Sequence, residues 1–252
     1  MEGTHLPGRR ARPRIAMRRT TPSRCDVLVV DGGGTSAKLR ATGAAEVRVV
    51  ATGPRMTPGR LVRSILRRCA DWQFDVVSLG HPGPVRGGRP GAGPWNLGRG
   101  WTRFDIARAF GRPFRVVNDA AMQALGACEG RRLLFLGIGT GLGTAMVVGG
   151  VPVPMELSHL PWRRNRTFED EVGAAGLARL GATAWRRAVA DVVAILSRAL
   201  LPDDVVIGGG NVSRLDALPH GARRGSNDDA FNGGVAVWNS EEAACPARPG
   251  YR

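Results

Sequence analysis

Short apolar runs alternate with glycine-rich breaks along most of the chain. Val27-Leu28-Val29-Val30 is a continuous apolar run closed by Asp31 and three glycines, the pattern of a buried strand entering a tight turn. Beyond the turn, Ala37, Leu39 and Ala41 alternate with Lys38, Arg40 and Thr42, and 46–51 again favours strand, so the spacing predicts a meander of three strands. Leu61, Ile65 and Leu66 stand at helical spacing within 58–70. A strand over 75–79, a Gly/Pro-rich loop over 80–100 and a short helix over 104–110 follow. A strand over 114–117 then runs into Asn118-Asp119, and the small and apolar residues of 120–128 suit a helix.

The opening pattern then recurs. An apolar strand over 133–136 leads to a glycine turn over 137–143 and a returning strand over 144–148. Further on come a long amphipathic helix over 180–200, a strand over 204–207 that meets Gly208-Gly209-Gly210, and a closing helix over 231–238. Each half opens with strand, glycine turn and returning strand, which predicts two similar α/β lobes with a cleft between them. The expected division is a basic, disordered tail over 1–24, an N-terminal lobe over 25–115, a C-terminal lobe over 116–240 and a second tail over 241–252.

Composition removes several classes. Hydrophobic residues make up 43% and charged residues 23%, values of a soluble globular chain, and no apolar run approaches the ~20 residues of a membrane span. The formal net charge of +15 first suggests nucleic acid, because clustered cations release counterions from phosphate backbones. Lys38 is the only lysine, however, and the arginines are spread along the whole chain rather than gathered into a stripe. No specific nucleic acid and no membrane are expected as partners, although a basic surface suits a polyanion such as inorganic polyphosphate. Cys25, Cys69, Cys128 and Cys245 lie far apart without a C-x-x-C, so neither a zinc knuckle nor a redox pair is visible, and a cytoplasmic location is expected.

Backbone N–H groups can cradle a phosphate chain only where no Cβ blocks the approach, which gives Gly32, Gly33 and Gly34, and again Gly139, Gly141 and Gly143, a chemical reading. Thr35 and Thr140 add hydroxyl donors. In a dinucleotide fold the glycine turn opens a helix, whereas both segments here return as strands. An ordinary glycine hairpin explains one such turn; two in register, with Asp31 closing the first strand, are harder to explain that way.

Asp31-Gly32-Gly33-Gly34-Thr35, the run from Gly137 through Gly139, Thr140 and Gly141 to Thr144, and Ile207-Gly208-Gly209-Gly210 together resemble the two phosphate motifs and the adenosine motif of the actin and sugar kinase superfamily. Within it the resemblance is to the ROK family, which includes bacterial glucokinases and polyphosphate glucokinases, and it covers 27–238. It implies a two-lobed actin-like ATPase fold, in which a ribonuclease H-like unit is duplicated around an inter-lobe cleft. It also implies phosphoryl transfer from ATP or polyphosphate to a hexose, glucose first, with Mg²⁺ held at Asp31 through water.

The same resemblance assigns Asp119 as the general base and Asn118 as a sugar ligand; an Asn-Asp helix cap is the plainer reading of that pair. Asn96, in Asn96-Leu97-Gly98 with Trp101 beyond, resembles the family's sugar loop, and Glu156-Leu157-Ser158-His159 its E-x-G-H motif, with Ser158 in place of glycine. Glu169 aligns with the glutamate that follows the family's zinc motif. The cysteines of that motif are missing, so no zinc is expected, and Ala121 stands where many relatives carry a second Asn. The alternatives are an inactive sugar-binding regulator and a kinase for an amino sugar. Sugar and phosphoryl donor are the expected partners, and a homodimer stays open.

Overall fold

The structure is a computed structural model and describes residues 25–94, 96–130 and 132–239. The tails expected over 1–24 and 241–252, and Trp95 before the sugar loop, lie outside the described residues.

The apolar run closes on its glycines as β1 (Val27–Gly32), and the chain doubles back as β2 (Ser36–Ala41) and β3 (Arg48–Ala51). The Thr57 hydroxyl caps α1 (Pro58–Arg68), which buries Leu61, Val62 and Ile65. Next come β4 (Val76–His81), a small hairpin of β5 (Val85–Arg86) and β6 (Arg89–Pro90), α2 (Ile106–Phe110), β7 (Phe114–Asn118) and α3 (Asp119–Ala127). The second half repeats the plan with β8 (Leu133–Ile138), β9 (Leu142–Val148) and β10 (Val151–Met155). It continues through α4 (Phe168–Val172), α5 (Ala174–Leu200), β11 (Asp204–Gly208), β12 (Ala222–Arg224) and α6 (Asp229–Ala236).

These strands make two five-stranded sheets of identical topology, ordered β3-β2-β1-β4-β7 and β10-β9-β8-β11-β12. In each, the first three strands form an antiparallel meander and the last two join the first in parallel. The internal echo in the sequence is therefore a repeat of topology. The break expected between 115 and 116 falls inside β7, all five residues of which pair with β4.

Both sheets are covered on both faces, which is why β1 and β8 are apolar without alternation. On the first sheet Leu28, Val30 and Leu39 pack with α1 and Trp101, while Val27, Val29 and Val76 pack with Met122 of α3 and Phe231 of α6. On the second, Leu134 and Leu136 meet Trp185, Val189 and Leu196 of α5, while Leu133, Phe135 and Val147 meet Ala120, Ala121 and Ala124 of α3. Helices α3 and α6 thus lie between the sheets. They cross where Gly126 and Gly233 leave no room for side chains: a Cβ on Gly126 would overlap the Asp229 carbonyl, and one on Gly233 the Met122 carbonyl.

Several elements depart from the sequence expectation. The long helix begins at Ala174 instead of 180 and breaks at Gly181, whose φ of 71° and ψ of 164° are open only to glycine. β10 carries Pro152 and Pro154, which argue against a strand, but it is an edge strand, where a missing N–H costs little. No helix among the described residues is long and apolar enough to cross a membrane.

Candidate active site

In both sheets the parallel strands end at one edge, where open α/β sheets place their ligands. On the first sheet Asp31 of β1 pairs in register with Gly80 of β4, and Gly80 with Val117 of β7. Asn118 and Asp119 are the next two residues. On the second sheet Gly137 of β8 pairs with Gly208 of β11, so the second glycine turn and the Gly208-Gly209-Gly210 run share the equivalent edge.

Asp119 stands between the two turns. A Cβ on Gly32 would press on the Gly80 carbonyl, and one on Gly80 would come 3.4 Å from the Asp119 Cα. From the other side, a Cβ on Gly143 would lie 3.1 Å from the Ala120 Cβ. The first turn of α3 is therefore held between Gly80 of β4, on which the first glycine turn rests, and Gly143 of the second glycine segment. Asn118 caps this helix, its Oδ1 accepting from the Ala121 N–H at 3.0 Å while Nδ2 donates to the Gly83 carbonyl at 3.2 Å. The plain reading of the Asn-Asp pair as a cap holds for Asn118. Ala121 is fully buried against the second sheet, so the position of the family's second Asn points into the core here.

Electrostatics single out the same carboxylate. Burial pushes the Asp119 carboxyl up to about 7, opposed by the Ala120 N–H, which donates to Oδ1 at 2.8 Å; the charges of Asp31 and Glu156 add to the rise. Asp31 is itself raised by burial, with Lys38 across the hairpin pulling the other way. The charges of two other sequence-predicted acids, Asp31 and Glu156, thus both reach Asp119.

The glycine turns are braced in part by residues outside the motifs. The Thr52 N–H donates to the Thr35 carbonyl at 2.9 Å and its hydroxyl to the Gly33 carbonyl at 2.8 Å, which fixes the first turn. Asn96 is exposed and lies against that turn: a Cβ on Gly34 would come 2.8 Å from the Asn96 Cβ. In the second turn, the Gly139 carbonyl accepts from Asn211 Nδ2 at 2.8 Å and from the Ala174 N–H at 3.1 Å, and the Thr140 carbonyl shares that N–H. Gly209, at φ 87°, packs so tightly on Ile138 that a Cβ would overlap its carbonyl, so the third glycine run buttresses the second turn. Around Gly139 the space that a Cβ would fill is empty to 4 Å, as a phosphate approach requires.

Glu156 and His159 follow β10, where Thr144 of β9 holds the segment by donating to the Met155 carbonyl and accepting the Leu157 N–H. Both side chains are exposed, with Nε2 of His159 3.7 Å from Oε2 of Glu156, while Ser158 is buried between them. Glu169 is the second residue of α4 and reaches the second glycine turn, its Oε2 accepting the Leu142 N–H at 3.1 Å.

His81 escaped the sequence reading, since a lone His in a Gly/Pro-rich loop carries no signal. It ends β4 beside Asn118, fully buried, with its ring 5.3 Å from that of Trp101. Neither ring nitrogen has a hydrogen-bond partner of ordinary geometry. Burial depresses the imidazole to about 4, and the nearby Ala92 backbone offsets only part of this, so His81 is neutral at pH 7. Among the described residues no three His, Cys, Asp or Glu side chains gather into a metal-binding group.

No protein-family model and no curated protein matches the chain. Solved structures do. An inorganic polyphosphate/ATP-glucomannokinase from Arthrobacter sp. strain KM superposes with a TM-score of 0.71 at 21% identity, covering 84% of this chain and 97% of its own. A ROK family glucokinase from Streptomyces griseus, solved with glucose and AMPPNP, gives 0.65 at 17% identity, with 84% and 97% covered. A ROK hexokinase from Thermus thermophilus gives 0.61 at 21%, again with 84% and 97% covered. At these identities the likeness is one of architecture, and it shows that the chain has the two-lobed actin-like fold of the ROK sugar kinases.

Proposed function

We propose that this protein is a sugar kinase that transfers a phosphoryl group from ATP or polyphosphate to a hexose hydroxyl, with glucose the first candidate acceptor and Asp119 the general base. The observation that carries the reading is a carboxyl raised to about 7, set at the strand edge between two glycine turns. A base works best when its pKa lies near the working pH. Oδ1 of Asp119 is committed to the Ala120 N–H, which leaves Oδ2 to take the hydroxyl proton as the sugar oxygen attacks phosphorus.

The two turns supply N–H groups toward a phosphate chain, and Gly208, Gly209 and Gly210 a surface for an adenosine. Asn96, Asn118, Glu156, His159 and Glu169 are the proposed sugar-side residues. Asn118 does its part mainly by capping, since its side chain is already spent on Ala121 and Gly83. Asp31, half-buried and raised by burial beside the first turn, suits a magnesium ion, which takes one or two carboxylates and completes its shell with phosphate oxygens and water. Such an ion would neutralise charge on the transferred phosphoryl group.

A coupled assay of the purified protein with a panel of hexoses and amino sugars against ATP and polyphosphate tests the reading. Turnover on at least one pair is expected; no turnover on any pair, together with no glucose binding by calorimetry, removes it. A second prediction isolates the cradle. Gly139→Ala meets no atom within 4 Å and occupies no left-handed backbone position, so the melting temperature should stay at the wild-type value. Its methyl group would stand where phosphate should approach, and the donor KM should rise about tenfold, the effect of losing roughly 1.4 kcal/mol of binding. An unchanged donor KM would remove Gly139 from the cradle.

A further inference from the structure

The resemblance makes Glu169 a sugar ligand and Gly141 a phosphate-cradle glycine, but the two residues touch each other. Oε2 of Glu169 accepts the Leu142 N–H at 3.1 Å, and a Cβ on Gly141 would overlap that same oxygen. Gly141 does not have a left-handed φ, so its backbone does not demand glycine. The missing side chain makes room for a carboxylate. Around Gly139, two residues earlier, the equivalent space is empty.

Glu169 is also well anchored. Asp170 and Thr167 form a capping box at the start of α4, and the Glu169 carbonyl accepts the Gly173 N–H at 2.8 Å. The next N–H, that of Ala174, is shared by the Gly139 and Thr140 carbonyls at 3.1 Å. A Cβ on Gly173 would sit 2.8 Å from the Glu169 carbonyl and 2.9 Å from that of Thr140, so the α4–α5 junction is pressed directly on the turn. Among the described residues the Glu169 carboxylate makes its hydrogen bond through Oε2 and none through Oε1.

We propose that Glu169 is a positioning residue for the second glycine turn: Oε2 fixes the Leu142 N–H in the space that Gly141 leaves, while Oε1 remains for an acceptor hydroxyl, so that one carboxylate joins acceptor binding to the donor cradle. This rests on the kinase reading above. A hydroxyl donating to Oε1 holds the side chain in the conformation in which Oε2 braces the turn. By linkage, a bound donor must then favour the acceptor by the same factor. An alanine at position 141 would displace the flexible carboxylate and free the Leu142 N–H, which is the defect that Glu169→Ala produces.

The test is calorimetric titration of AMPPNP with and without saturating glucose. Wild type should bind AMPPNP about fivefold or more tightly when glucose is present, the lower end of ordinary coupling. In Glu169→Ala the ratio should fall to about one, and in Glu169→Gln, whose amide oxygen still accepts the Leu142 N–H while its nitrogen in the place of Oε1 can only donate to the hydroxyl oxygen, the ratio should recover in part. A Glu169→Ala protein that loses glucose affinity while keeping both AMPPNP affinity and the ratio would overturn the proposal and leave Glu169 a sugar ligand only. Thermal unfolding gives a readout that needs no ligand. Gly141→Ala and Glu169→Ala should each lower the melting temperature by ~4 °C, and the double variant by no more than either alone. Additive losses would overturn the link between the two residues, even if wild type bound neither glucose nor AMPPNP and the kinase reading had failed on its own account.

Discussion

Asp119→Asn is expected to lower kcat by about 10²- to 10⁴-fold, the usual contribution of a positioned base, with the fold intact. The asparagine side-chain oxygen can still accept the Ala120 N–H, and the amide fills the same volume, so the first turn of α3 should keep its geometry between the two glycine segments. Wild-type activity should rise with pH through a value near 7 as the carboxylate forms, and the variant should lack that limb. An Asn variant with wild-type kcat would end the assignment of Asp119 as base.

The same substitution has a stability signature of calculable sign. The folded carboxyl titrates near 7 and an unfolded one near 3.9, so between those values the folded protein holds a proton that the unfolded chain has released. Stability contributed by the neutral, half-buried acid is therefore fully present below about pH 4 and is lost as pH rises through 7, by a few kcal/mol at most. Asparagine does not titrate. The melting temperature of Asp119→Asn, measured against wild type without metal or substrate, should climb relative to wild type between pH 5 and pH 8. A constant difference would mean that the carboxylate is solvated in the folded protein.

Gly126→Ala is expected to have the largest effect on stability, a loss of about 3 kcal/mol or more in denaturant unfolding, at the upper end for overpacking. The new methyl would occupy the position of the Asp229 carbonyl, a main-chain atom that cannot rotate away, and Gly233→Ala would do the same against the Met122 carbonyl. Relief requires α3 and α6 to separate, and these helices carry the inner faces of both sheets. Spreading them would also move Asp119, which opens α3, so kcat should fall even in the fraction that folds. The double variant should lose less than the sum of the two, because one separation accommodates both methyls. A Gly126→Ala protein as stable as wild type would mean that the crossing is looser than described.

Much of the architecture was legible in the chain because it is local. An apolar run that closes on Asp31 and glycines, and its echo from Leu133, state a strand and a tight turn within ten residues, and each half gives the start of its meander. The junction at Asn118-Asp119 is equally local: a polar pair between an apolar strand and a small-residue segment marks a helix start, and α3 begins there. β10 was not legible, since its prolines forbid a central strand and only its place at the sheet edge permits it. Nor was His81, whose burial under Trp101 is decided by a loop that folds back over the end of β4.

By itself the sequence determined where the chain turns, which residues are candidates for phosphate and proton chemistry, and that the pattern occurs twice, because hydrophobic periodicity and glycine spacing act over a few residues. Only the tertiary structure decided which of those residues meet. The glycines look alike along the chain, yet Gly139 faces open space, Gly141 makes way for Glu169, Gly209 supports Ile138, and Gly126 and Gly233 let two helices touch. The reason is that a missing Cβ acquires a meaning only from the atom that approaches it, and that atom comes from a distant part of the chain. The raised carboxyl of Asp119 has the same origin, since the burial and the neighbouring charges of Asp31 and Glu156 arise only when the strand ends are brought together.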